Sequence, residues 1–91
     1  MKTIKIGVKG RVQGVGFRFF TKQLADLLNI KGTVKNKFDG SVEVLAQSNN
    51  EEKLDRFIER VKESPAPYGK VTGYTLEEIN QESYQDFQII N

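Results

Sequence analysis

The residues best suited to chemistry are Gly10-Arg11-Val12-Gln13-Gly14-Val15-Gly16-Phe17-Arg18, which join an alternating segment to an amphipathic one. Glycines at a strand-to-helix junction let consecutive backbone N–H groups converge on one concavity, and the positive end of the helix macrodipole points into the same space. Gln13, Gly14, Val15, Gly16 and Phe17 would form such an anion nest. Arg18, one residue into the helix, adds a planar two-pronged donor that matches phosphate oxygens. Neither common nucleotide motif fits. No Gly-Lys-Ser/Thr follows, and Gly14-x-Gly16 leads to Phe19 where the dinucleotide fingerprint needs glycine. On spacing alone, a plain tight turn with Arg18 as a solvated charge accounts for these residues equally well.

The composition narrows what such a nest can serve. The chain has 91 residues, no histidine and no cysteine. Ser-His-Asp triads, thiolate nucleophiles, histidine bases and Cys/His zinc sites are therefore excluded, as are disulfides. A reducing cytoplasm is the expected location. The net charge of +2 is unevenly spread. Nine basic residues against Asp26 alone give +8 up to Phe38, whereas five basic and eleven acidic residues give −6 from Asp39 onward. The positive half suits an anionic partner. Polar residues interrupt every apolar run near the start, so neither a signal peptide nor a membrane span is expected.

The elements that must hold the nest follow from periodicity. Ile4, Ile6, Val8 and Val12 keep a period of two and predict a half-buried strand. Phe17, Phe20, Leu24, Leu27 and Leu28 then fall at spacings of three and four, the apolar stripe of a helix ending at Asn29 to Gly32. Thr33–Asn36 and Ser41–Gln47 flank Asp39-Gly40 as a hairpin, with Val42, Val44 and Ala46 toward the core. Asn50 is placed to cap a second helix carrying Leu54, Phe57, Ile58 and Val61, which stops near Ser64-Pro65. A fourth strand follows from Lys70 to about Ile79, with Thr72, Tyr74 and Leu76 on one face and Val71, Gly73 and Thr75 on the other. Phe87–Ile90 adds a short last strand. The order βαββαβ plus one strand predicts a single domain over residues 1–91, with an antiparallel sheet carrying both helices on one face, the ferredoxin-like arrangement. Lys35 and Lys37 are expected on a solvated strand edge. Asn36 by itself reads as a turn-entry residue, and Ser64 and Ser83, with no base beside them, as structural.

The nest segment taken with Gly32-Thr33-Val34-Lys35-Asn36-Lys37-Phe38-Asp39-Gly40-Ser41-Val42-Glu43 resembles the acylphosphatase family, and the similarity continues through Ala25, Leu28, Ser64-Pro65 and Tyr84-Gln85-Asp86-Phe87-Gln88-Ile89. The resemblance implies a ferredoxin-like α/β sandwich that hydrolyses the carboxyl–phosphate bond of acyl phosphates. It also implies catalytic roles for Arg18, as phosphate ligand beside the loop amides, and Asn36, as holder of the attacking water. Thr33 stands where the family often has Trp, and Asn29-Ile30 where it commonly has Gly. Asn tolerates the left-handed conformation of a helix end, so Asn29 can replace that glycine.

Such chemistry is compatible with the missing histidine. The leaving group is a carboxylate whose conjugate acid has a pKa near ~4, so it departs without a general acid. A loose transition state leaves positioning and charge stabilisation to the protein, which amides and a guanidinium supply. No metal or cofactor is expected. Asn36, uncharged, would orient water without repelling the phosphate. A small-molecule acyl phosphate, with inorganic phosphate as product, is the expected partner of a monomer that binds no nucleic acid. The alternatives are a non-catalytic anion-binding module and an RNA-binding one. Ser41-Val42-Glu43-Val44-Leu45 has none of the stacking aromatics that RNA recognition places on the third strand.

Overall fold

The computed structural model describes residues 2–91. Alternation in β1 (Lys2–Arg11) buries Ile6 and Val8 on one face and leaves Lys5, Gly7 and Lys9 on the other. The chain continues through α1 (Phe17–Leu28), β2 (Lys31–Asn36), β3 (Val42–Gln47), α2 (Glu51–Glu63), β4 (Lys70–Asn80) and β5 (Phe87–Ile90). The five strands form one sheet in the order β4-β1-β3-β2-β5. Register sets Ile6 opposite Val44, Val8 opposite Val42 and Val34 opposite Val44, so these apolar side chains share a face. Phe17, Ala25 and Leu28 of α1 and Leu54, Phe57 and Val61 of α2 complete the same buried cluster. Both helices therefore cover one side of the sheet, as expected.

The first four strands pair antiparallel, and β5 adds a parallel partner for β2. To reach that position the chain crosses from one edge of the sheet to the other. Buried Gln47 pins the crossing: its Nε2 donates to Thr3 Oγ1 and to the Glu82 carbonyl, both at 2.8 Å, and its Oε1 accepts from the Tyr84 N–H at 2.9 Å. β2 is consequently not an edge strand. The edge expected for Lys35 and Lys37 is replaced by β5 on one side and by ion pairs to Glu43 on the open face.

Two further expectations are corrected. Leu27 does not belong to the buried face of α1; it is 80% exposed, and Thr21 and Ala25, four residues apart, carry the burial between Phe17 and Leu28. Strict alternation in β4 also breaks. Lys9 pairs with Gly73 but Gly10 with Val71, leaving Thr72 as the extra residue of a bulge that brings Val71 back against the core. Tyr74 and Leu76, opposite Val8 and Ile6, lie on the helix face but stay half-exposed, with the Lys62 ammonium 4.8 Å from the Tyr74 ring centre. Asn29 closes α1 at φ 58°, ψ 39°, the left-handed cap anticipated from its type.

Candidate active site

Residues 12–16 run from β1 into α1 with Gly14 and Gly16 both at φ +78°, a conformation that side-chain-bearing residues rarely adopt. The turn leaves a row of amides open. From Gln13 to Phe19 no backbone N–H has a backbone acceptor among the described residues, and the first bond of the helix runs from the Phe20 N–H to the Gly16 carbonyl at 3.0 Å. Gly16 brings no capping side chain, and the first turn of α1 has no acid. The helix thus starts with unpaired donors and no negative charge, which favours an anion from outside.

Those donors face a cleft of about 250 Å³ lined by Gly14, Gly16, Phe17 and Arg18 on the loop and α1, and by Asn36 at the end of β2. Arg18 and Asn36, 18 positions apart in the chain, therefore meet at one site. The Arg18 guanidinium is held in place: Nη1 donates to Asn91 Oδ1 at 3.0 Å and to the Ile90 carbonyl at 3.5 Å. Asn36 Oδ1 is buried and has no hydrogen-bond partner. A buried amide oxygen in that state has an unmet capacity to accept, which a water in the cleft can fill.

Gln13 and Val15 do not line the cleft. Val15 packs partly buried against the core. The side chain of Gln13 spans to the β2–β3 hairpin, its Nε2 donating to the carbonyls of Lys37 at 2.8 Å and Ser41 at 2.9 Å. It ties the loop to the residue following Asn36. Phe17 is 1% exposed, so its ring belongs to the core and only its backbone is available to the site. The hairpin is closed by the Lys37 N–H donating to the Ser41 carbonyl at 2.9 Å, and by Asp39, whose Oδ1 accepts from the Ser41 hydroxyl at 2.6 Å and N–H at 3.0 Å. The bond from the Ser41 hydroxyl, then that from its N–H, hold the Asp39 carboxyl below its ordinary range. Behind the hairpin, Glu43 faces three ammonium groups, Lys5 at 3.5 Å, Lys35 at 3.6 Å and Lys37 at 3.9 Å. Asp39 and Glu77 line the same open face, so cations and carboxylates are mixed there.

The acylphosphatase family model matches residues 4–89. The chain belongs to the acylphosphatase family. Its acylphosphatase relatives include that of Ligilactobacillus salivarius, 46% identical over 89 residues with 98% of each chain covered. Among solved structures, the acylphosphatase from Bacillus subtilis superposes with a TM-score of 0.92 at 42% identity over the whole of both chains. An acylphosphatase from Coxiella burnetii gives 0.90 at 34% identity, covering 98% of this chain and 92% of that one. The ferredoxin-like fold and the enzyme class expected from the resemblance stand.

Three residues at this acylphosphatase cleft escaped sequence reasoning. Ile89 and Phe19 line it, and Asn91 braces Arg18. Phe19 directly follows Arg18 in the first turn of α1 and lies off the apolar stripe of Phe17, Phe20 and Leu24, a signal that was present. Ile89 and Asn91 arrive only because β5 pairs with β2, a long-range contact with no local sign.

Proposed function

We propose that the protein hydrolyses the carboxyl–phosphate bond of acyl phosphates, with Arg18 and the Gln13–Phe17 amides binding the phosphoryl group and Asn36 orienting the water. The observation that carries this reading is the unpartnered, buried Asn36 Oδ1 in the same cleft as an uncapped helix start and a braced arginine. The water donates one hydrogen to that oxygen and directs a lone pair at phosphorus. A new P–O bond forms as the bond to the acyl oxygen breaks and the electron pair leaves with the carboxylate; one proton of the water stays on the new P–OH and the other moves to a phosphoryl oxygen, giving dihydrogen phosphate. The amides and Arg18 stabilise charge on the equatorial oxygens throughout. Gln13 contributes its N–H to the nest while its side chain fixes the loop to the Asn36 strand.

The reaction so written uses no metal or cofactor, because a carboxylate departs unaided. Purified protein should release phosphate from benzoyl phosphate at a rate unchanged by a chelator; a folded protein without hydrolysis would reject the reading. We further propose one domain over residues 1–91 that works as a cytoplasmic monomer without a nucleic-acid partner. In support, no helix among the described residues is long and apolar enough to cross a membrane, and the open face of β3 presents Glu43 and Leu45 where RNA-binding sheets carry aromatics.

A further inference from the structure

If Asn36 holds the attacking water, in-line displacement places the leaving oxygen, and the acyl group with it, on the far side of phosphorus. A second cleft of about 260 Å³, lined by Lys35, Lys37, Phe38 and Asn91, opens beside Asn36 and thus on the water side. Its lysines do not meet the acyl group. Within the phosphate cleft, Val12 and Phe17 are buried to 1% exposure and offer no surface to a ligand. Two apolar side chains remain. Ile89, 39% exposed, sits on β5 opposite Val34, along the strand that ends at Asn36, so it too belongs to the water side. Phe19 is 58% exposed and lines the cleft from α1, whereas Asn36 and Ile89 line it from β2 and β5. It meets Phe20 in a T-shaped contact, with centroids 5.2 Å apart and planes at 83°, and more than half of its surface stays open. Leu27, Phe38 and Tyr68 are exposed as well, but none lines this cleft.

We propose that Phe19 forms the acyl subsite, its ring covering a planar apolar acyl group, and that the enzyme therefore selects aromatic acyl phosphates over acetyl phosphate. The inference rests on the hydrolytic reading above. An aromatic contact of this kind is worth roughly 3- to 10-fold in kcat/KM. The test measures kcat and KM for benzoyl phosphate and acetyl phosphate, and inhibition by inorganic phosphate, in the wild type, Phe19→Ala and Phe19→Leu. The wild type should prefer benzoyl phosphate by that factor. Phe19→Ala should bring the ratio close to unity, mainly through the KM for benzoyl phosphate, and Phe19→Leu should keep part of the preference. Phosphate, which has no acyl group, should inhibit all three alike. A wild type without preference, or a Phe19→Ala variant that slows both substrates by one factor, overturns the subsite. A wild type inert toward both substrates overturns the hydrolytic reading instead.

Discussion

Two helices pack side by side on the same sheet face, yet their N-termini are built in opposite ways. α2 satisfies its own start: Asn50 Oδ1 accepts from the Lys53 N–H at 3.0 Å, and Glu51 and Glu52 supply negative charge in the first turn. α1 has glycine at the corresponding position, no cap, no acid, and arginine as its second residue. Four unpaired N–H groups and a positive dipole end are common to every helix. Satisfying them from within the chain yields stability. Leaving them open at a cleft yields a place for an anion, which is why the start of α1 is the candidate site proposed above. A larger trough than the candidate cleft, about 480 Å³ on the open sheet face, mixes Lys5, Lys9 and Lys37 with Asp39, Glu43 and Glu77 and starts no helix.

The contrast can be broken from either side. The largest effect belongs to Arg18→Gln, which should lower kcat/KM by about 10³-fold and also weaken inhibition by phosphate. Steady-state kinetics within tenfold of the wild type would return Arg18 to the role of a surface charge. Asn36→Ala should cost about 10²-fold in kcat with phosphate inhibition retained, because it removes the water's acceptor and not the nest; equal losses in both would point to loop damage instead. Gln13→Met takes away the tie between loop and hairpin while keeping side-chain length. Its turnover should fall roughly tenfold, the worth of one or two modest hydrogen bonds. On the α2 side, Asn50→Ala should destabilise the fold by about 1 kcal/mol, a drop of roughly 4–8 °C in Tm, with kinetics unchanged. An altered kcat there would mean the two helix starts are not independent.

The smallest effect concerns acid. The cap of α2 is a neutral amide, whereas the loop before α1 leans through Gln13 on a hairpin held by the Asp39 carboxylate. Asp39 titrates lower in the folded chain than its ordinary 3.8. Its contribution is therefore complete above that value and is lost as pH falls through the lower folded one. Amide exchange in the hairpin should rise below pH ~3.8 before that of α2 does, and Asp39→Asn should abolish the difference.

Much of this was legible from residue types. Period two located β1, spacings of three and four located both helices, β-branched runs around Asp39-Gly40 located β2 and β3, and Asn29 and Asn50 marked helix ends by their known conformational and capping preferences. Failures occurred where a neighbour decided the outcome. Leu27 fits the helical stripe of α1 by spacing, but no element packs over its side of the helix. Val71 and Tyr74 have opposite parity, and only the bulge against Gly10 puts both on the helix face. Lys35 reads as an edge residue until β5 takes the place beside it.

The same division runs through the site. Sequence by itself excluded histidine and cysteine chemistry and set a glycine-rich turn beside an arginine, and the resemblance to acylphosphatases supplied a substrate whose leaving group needs no proton. Those properties are local, since a glycine's left-handed backbone and a guanidinium's fork depend on little beyond the residue itself. Tertiary structure decided the geometry. Asn36, a water ligand by resemblance alone, has its amide oxygen buried and unpaired beside the loop because β2 ends there, and Arg18 acquired a fixed direction because Asn91, 73 positions away, lies against it. Such contacts exist only once the sheet has closed, so no window of sequence contains them.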